Sequence, residues 1–290
     1  MKKRILIIGA LVLLCGVLLL FVWQGAYHPA VSPGKTAVLF SSLAPMWQQA
    51  GGTVEITVGE SVERGFVSAD TPLVDDGAGK SINNELLLSF QPKLVIYSSD
   101  IPAQVEAAKL LEKNGAKILG CKVDSFADYK TVMAQFCKLT GETTALQEVK
   151  LLEQQIQKTL RDQPFAGKKI LFVRAGSSAA STKAKLGKDH FACAMLEELG
   201  ANNIADNAPI LLDNLSMESI LAADPDYIFF SLMGKEEAAK TNVNRLLDSY
   251  TWRNLTAVKE GRAHILPKDL FHYKPGARWG EAYEYLKELA

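Results

Sequence analysis

Basic and aromatic side chains that follow predicted strands are the residues of this 290-residue chain best suited to chemistry. Arg174 comes directly after the apolar run 169–173, and Tyr273 and Arg278 lie in the run 271–279, between the last predicted strand and the terminal helix. Guanidinium and ammonium groups beside aromatic rings suit a large, planar, anionic ligand, because together they supply charge, hydrogen bonds and stacking. The predicted ligand-binding residues are Ser42, Trp47, Arg64, Lys80, Ser98, Arg174, Ser177, Lys183, Tyr273 and Arg278.

His272 and Tyr273 are candidates for direct metal ligation, since imidazole and phenolate both bind iron in haem sites. Adjacent residues on an extended loop point in opposite directions, so we do not expect both to reach one metal ion. Whether either residue ligates a metal stays open, and no metal centre is predicted.

Patterns typical of enzymes are missing from the sequence. The run 77–81 ends in Gly-Lys-Ser like a phosphate-binding loop, but Val74 stands where that pattern requires glycine. Outside the N-terminal apolar run, which contains Cys15, the chain has three cysteines, Cys121, Cys137 and Cys193. This odd number and their apolar neighbours predict free buried thiols and not a zinc site. We therefore predict no catalytic residue and no cofactor, and a protein that is not an enzyme.

The elements that must position these residues include a segment that occurs twice. Residues 85–98 and 218–231 both run from a glutamate through an apolar helix to a proline and a short strand that ends in serine, with a constant offset of 133 residues. Helix-proline-strand joints are also common in unrelated α/β proteins. A repeated unit of this kind nevertheless favours two α/β lobes with a ligand cleft between them.

The order of strands and helices supports this α/β class. Apolar residues at steps of three and four between 144 and 160 predict one long amphipathic helix between the repeats. In such folds, ligands bind outside the carboxyl ends of the strands, which is why the loops named above are candidates. The predicted organisation is a membrane anchor or signal at 1–27, a linker at 28–35, lobe one at 36–140, the interlobe helix at 141–163 and lobe two at 164–290.

The N-terminus predicts attachment to a membrane. Residues 5–23 carry no charge and follow a cationic start, and as a helix they span roughly 28 Å, close to the hydrocarbon thickness of a bilayer. The positive end favours an N-terminal transmembrane helix with the rest of the chain extracytoplasmic. Cleavage, or lipidation at Cys15, are alternatives, although Leu14 is large for a lipoprotein signal. The formal net charge of zero gives no reason to expect nucleic acid as a partner.

The sequence from about 36 to 290 resembles the substrate-binding proteins of ABC importers for iron chelates and cobalamin. Both copies of the repeat carry this resemblance, as 83–96 and 216–229, together with Leu199-Gly200-Ala201, Trp252-x-x-Leu255 and Val258-x-x-Gly261-Arg262. The resemblance implies two lobes joined by a rigid helix, a permease with its ATPase as partner, and Glu85 and Glu218 as residues that dock on permease arginines. Both glutamates also begin predicted helices, where a carboxylate is favoured without any partner.

The resemblance and the basic residues together predict a protein that captures a ferric siderophore or similar iron chelate outside the cell. A haem or cobalamin carrier of the same fold is the alternative, and a cobalamin carrier would need a less charged cleft. An α/β enzyme that uses the same cleft is the alternative of another class.

Overall fold

The computed structural model describes residues 34–290. The predicted membrane segment lies outside these residues, and no helix within the described range is long and apolar enough to cross a membrane. Strands and helices alternate along the described chain and form two separate sheets, one in each lobe.

Lobe one is built on a parallel sheet in the order β1-β2-β3. Its strands are β1 (Thr36–Val38), β2 (Leu94–Ser98) and β3 (Lys117–Cys121). Its helices are α1 (Ala44–Gln49), α2 (Gly59–Glu63), α3 (Asn84–Ser89), α4 (Pro102–Lys113) and α5 (Phe126–Thr140). Because the three strands run in the same direction, their carboxyl ends lie at one edge of the sheet.

Lobe two has a larger sheet in the order β5-β4-β7-β8, with β6 paired to β4. Its strands are β4 (Lys169–Ala175), β5 (Lys183–Ala184), β6 (Asn202–Asn203), β7 (Tyr227–Leu232) and β8 (Ala263–Leu266). The pairs β4–β7 and β7–β8 are parallel, and β5 is antiparallel to β4. Besides α6, described below, the remaining helices are α7 (Phe191–Glu198), α8 (Ile210–Asp213), α9 (Met217–Ala223), α10 (Glu236–Leu247), α11 (Thr256–Lys259), α12 (Lys268–Phe271) and α13 (Trp279–Glu288).

The long helix α6 (Thr144–Asp162) lies between the two sheets in sequence and packs against α5 and α13. Val149 and Ile156 on its apolar stripe are buried, whereas Leu146 on the same predicted stripe is 37% exposed. One continuous apolar cluster contains Trp47 of lobe one and Trp279 of lobe two. Separating the lobes would expose part of this cluster to water, which costs about 25 cal/mol of free energy for each Å² of apolar surface exposed.

The sequence repeat is present in the structure as two equivalent helix–strand units, α3 with β2 and α9 with β7. The residues before the two prolines, Gln91 and Asp224, both adopt a left-handed backbone, with φ of 50° and 40°. These residues are 133 positions apart, the same offset as the repeat. A following proline disfavours the right-handed helical conformation, so the same local rule ends both helices.

Candidate ligand-binding site

A cavity of about 610 Å³ lies between the lobes and is lined by residues of both. Residues that follow β4, β7 and β8 form one wall, and loops of lobe one form the other. This is the position that parallel sheets favour for ligands, because several strands end there together. The principal lining residues are Phe40, Ser42, Glu60, Lys80, Arg174, Ser177, Met233, Lys235, Lys268, His272, Tyr273 and Lys274.

The cavity wall carries an excess of positive charge. Five cations line it, Lys80, Arg174, Lys235, Lys268 and Lys274, against the single carboxylate of Glu60. Within residues 34–290, Lys274 alone among these five forms an ion pair, with Asp124 at 2.6 Å. Cations without ion-pair partners in a concave site attract an anionic ligand, since the cavity walls limit screening by solvent.

Arg174 is the cation of the cavity lining that has a buried hydrogen-bond donor without an acceptor among residues 34–290. It lies near the end of β4, where its backbone pairs with neighbouring strands on both sides. Its Nε atom is buried without a hydrogen-bond partner, and the other two such side-chain nitrogens of residues 34–290 belong to His264 and Trp279, which do not line the cavity. A buried donor without an acceptor costs about 1–3 kcal/mol. The terminal N–H groups of Arg174 likewise form no hydrogen bond or ion pair within residues 34–290, and because Arg174 lines the cavity they are available to an anionic oxygen bound there.

Arg64 connects the two lobes beside the cavity. Its Nη1 atom donates to the hydroxyl oxygens of Ser41 and Ser42, each at 3.1 Å. Its guanidinium carbon lies 3.9 Å from the ring centroid of Tyr273 in lobe two and 4.5 Å from that of Phe66. Burial lowers the pKa of Arg64, but an arginine still carries its charge at neutral pH. Arg64 therefore positions Ser42 and Tyr273.

The histidine of the cavity is neutral at physiological pH. Burial, and then the nearby charge of Arg174, lowers the pKa of His272 to about 4. The backbone of His272, with φ −106° and ψ −47°, is helical at the end of α12 and not extended. His272 and Tyr273 both line the cavity, and their ring centroids lie 5.0 Å apart, so the expectation that these neighbours point in opposite directions is wrong.

Residues 37–270 match the profile of a family described as periplasmic binding protein. The chain belongs to the periplasmic binding protein family. No curated protein sequence matches the chain significantly. The family assignment confirms the resemblance found in the sequence.

Solved structures share the two-lobe fold of this periplasmic binding protein at low sequence identity. IsdE of Staphylococcus aureus complexed with heme is 15% identical with a TM-score of 0.68, over 88% of this chain and 99% of that chain. SirA of Staphylococcus aureus complexed with staphyloferrin B is 17% identical with a TM-score of 0.64, over 89% and 92%. The periplasmic vitamin B12 binding protein BtuF of Vibrio cholerae is 16% identical with a TM-score of 0.70, over 89% and 96%.

Five of the ten predicted ligand-binding residues line the cavity of this periplasmic binding protein: Ser42, Lys80, Arg174, Ser177 and Tyr273. All five lie in loops or strand ends that the carboxyl-end rule selected. Arg64, a sixth, contacts two of them from behind.

The remaining four predicted residues lie away from the cavity lining. Trp47 is fully buried in the core, where its Nε1 donates to the Thr53 carbonyl at 2.9 Å. Ser98 is 7% exposed, and its backbone N–H donates to the side chain of Gln104. Lys183 lies on β5 and does not reach the cavity. We therefore do not retain these three as ligand contacts.

Arg278 is the fourth residue away from the lining, although its side chain is charged and 46% exposed. Its guanidinium pairs with Asp269 and with Glu281, each at 2.6 Å. These partners, Glu281 first and Asp269 second, raise the pKa of Arg278. Three of the five N–H donors of Arg278 are directed to these two carboxylates, which already neutralise its charge, so we do not retain Arg278 as a ligand contact.

Two further cations that were not predicted from the sequence also line the cavity. Lys235 follows the end of β7 by three residues, and Lys268 follows the end of β8 by two. Both positions satisfy the rule that selected Arg174. Lys268 was missed because it begins α12, a four-residue helix too short to have a recognisable pattern.

Glu85 and Glu218 occupy equivalent positions in the first turns of α3 and α9. Both are exposed, and neither side chain forms an ion pair or hydrogen bond within the described part of the chain. Asn83 and Ser216 cap the two helices with their own side chains. The glutamates are thus not needed as caps and remain accessible to another molecule.

Proposed function

We propose that this protein is the extracytoplasmic solute-binding component of an ABC importer, that it binds an anionic ferric chelate, and that it delivers this chelate to a permease. The observation that carries the proposal is Arg174, whose guanidinium lines a cavity together with four lysines and has no hydrogen-bond or ion-pair partner within residues 34–290. The volume of about 610 Å³ lies in the range of small-molecule sites. Family membership supports solute binding without turnover, so we propose no enzymatic activity.

The charge of the cavity favours some ligand classes over others. Ferric siderophores with carboxylate or catecholate groups are anionic and can satisfy both the lysines and Arg174. Cobalamin presents little negative charge, so it would leave these cations without partners. The solved relatives include proteins complexed with heme and with staphyloferrin B, which is consistent with a cavity of this size and kind.

Haem is the second candidate, because His272 and Tyr273 both line the cavity. The lowered pKa of His272, about 4, keeps its imidazole neutral and therefore able to bind iron. Haem also has two carboxylates that the cavity lysines could hold. Tyr273 already stacks on Arg64, which favours a ligand that does not need the phenolate.

The proposal includes two contacts outside the cavity. Glu85 and Glu218 would dock on arginines of the permease, since both are exposed, repeated and without partners in residues 34–290. The segment before residue 34 would hold the protein at the cell membrane, with the binding lobes outside the cytoplasm. The ATPase of the importer would act through the permease without contact to this chain.

Calorimetric titration of the full-length chain tests the proposal. The panel comprises ferric citrate, a ferric tris-catecholate, haemin and cyanocobalamin. We expect saturable binding of an anionic ferric chelate and no binding of cyanocobalamin. Binding of haemin alone, with a Soret band that shifts in His272→Ala, would select the haem carrier. A folded sample that binds only cyanocobalamin, or none of the four, would refute an anionic iron chelate as the ligand.

A further inference from the structure

A second cavity, of about 250 Å³, adjoins the first on the lobe-two side. Three residues, Arg174, His272 and Lys274, line both cavities and form the wall that they share. The second cavity extends beyond this wall to the loop that precedes α7, including Lys188 and His190. Its volume far exceeds the roughly 30 Å³ that one water molecule occupies in the liquid, so it has room for a small functional group of a ligand.

His190 contributes a hydrogen-bond donor to the second cavity. Its Nδ1 atom accepts the backbone N–H of Ala192 at 3.2 Å, so the proton of the neutral ring lies on Nε2. Burial, and then the charge of Arg174, lowers the pKa of His190 to about 3, which keeps the ring neutral. Its Nε2–H group has no hydrogen-bond partner within residues 34–290 and is free to donate to an occupant.

The charges around the second cavity favour a single anionic group. Its cations are Arg174, Lys188 and Lys274, and its carboxylates are Asp124 and Asp189. Asp124 is already neutralised, because it pairs with Lys274 at 2.6 Å and also with Lys122 at 3.1 Å, outside the cavity lining. Of the two carboxylates in this lining, only the exposed Asp189 is therefore left to offset Arg174 and Lys188, and the guanidinium of Arg174 has no hydrogen-bond or ion-pair partner within residues 34–290.

We infer that the second cavity is a side compartment that binds a free carboxylate arm of the same ligand whose iron-chelating body occupies the first cavity. Arg174 would contact both parts, since it lies in the shared wall, and the donor on His190 would bind the carboxylate. The inference rests on the proposed function and deepens it. The protein should select chelates that keep an uncoordinated carboxylate over chelates of similar charge that have none.

One lysine in each cavity provides a matched test in the full-length chain. Lys188 lines only the second cavity and Lys235 only the first, and both are exposed, so Lys188→Glu and Lys235→Glu change the net charge equally with little risk to folding. The probes are ferric citrate, which has free carboxylates, and ferric enterobactin, an anionic tris-catecholate without them. Titration calorimetry gives the dissociation constants, and thermal unfolding verifies that both variants fold.

We expect Lys188→Glu to raise the dissociation constant of ferric citrate by about fivefold or more and that of ferric enterobactin by less than about twofold. The reason is that the reversed charge lies beside the carboxylate arm alone. Lys235→Glu should raise the dissociation constants of both chelates. An equal effect of Lys188→Glu on the two chelates, or none on either, overturns the side compartment while the proposed function stands. If iron-free citrate binds as tightly as ferric citrate, the second cavity is an independent small-anion site and the two-part ligand is refuted. Failure of the wild type to bind either chelate overturns the proposed function, and the inference with it.

Discussion

Replacing Arg174 by alanine should lower ligand affinity without lowering the stability of the free protein. The guanidinium lines both cavities, and its buried Nε has no acceptor in the described structure. A hydrogen bond to a charged partner contributes about 1.5–3 kcal/mol, so Arg174→Ala should raise the dissociation constant of an anionic chelate by about 10- to 100-fold. Arg174→Lys keeps the charge but loses the planar fork, and it should recover only part of this affinity.

The stability of the free protein should not fall in Arg174→Ala. Removing a buried donor that has no partner relieves a cost of about 1–3 kcal/mol, so the free energy of unfolding should stay constant or rise. The substitution should also raise the pKa of His190 and of His272, because the charge of Arg174 contributes to lowering both. Calorimetric titration, chemical denaturation and NMR titration of the imidazoles measure the three effects.

Arg278→Ala is the matched control for this prediction. Its guanidinium is half exposed and pairs with Asp269 and Glu281, so its loss should leave the ligand dissociation constant unchanged. Stability should fall by less than about 1 kcal/mol, as is usual for exposed ion pairs. Wild-type affinity in Arg174→Ala, or an equal loss of affinity in Arg278→Ala and Arg174→Ala, would contradict this prediction.

Two further predictions concern transport and pH. The double variant Glu85→Gln with Glu218→Gln should leave ligand affinity unchanged and reduce uptake through the importer in cells. The control Glu106→Gln, at another exposed glutamate, should affect neither affinity nor uptake. Normal uptake by the double variant would exclude the docking role. In the folded protein the pKa values of His190 and His272 are about 3 and about 4, below the ordinary 6.5 that both residues have in the unfolded chain. Between these folded and unfolded pKa values, the unfolded chain therefore binds more protons than the folded chain. The thermal midpoint should therefore fall as pH is lowered from about 7 to about 5, and His190→Phe should flatten this dependence; a midpoint that rises on acidification would contradict these pKa directions.

Much of the fold could be predicted from local sequence signals. The repeat at 85–98 and 218–231 identified two equivalent helix–strand units, and the apolar stripe identified the helix that spans Thr144–Asp162. These features are written in neighbouring residues, since periodicity, proline and glycine act over one or two turns of chain. The family resemblance rested on the same signals, and the family match confirmed it.

The candidate site was only half predictable, because the sequence gives the types of the side chains and the order of the loops but not the partners of each charge. Arg174 and Arg278 looked equivalent in the sequence, as basic residues that follow predicted strands. In the structure Arg278 is bound by Asp269 and Glu281, while Arg174 has a buried donor without an acceptor among residues 34–290. Trp47 shows the same limit, since its indole completes the apolar core instead of lining the cleft.

The sequence by itself therefore determined the class of fold, the two-lobe organisation and the edge of each sheet where the cavity lies. Only the tertiary structure decided which cations at that edge are free to bind an anion, and that a second cavity adjoins the first through Arg174. The physical reason is one of range. Backbone preferences are set by residues a few positions apart, whereas the pairing and burial of a charge depend on groups brought together from distant parts of the chain, as Lys274 and Asp124 are across 150 residues.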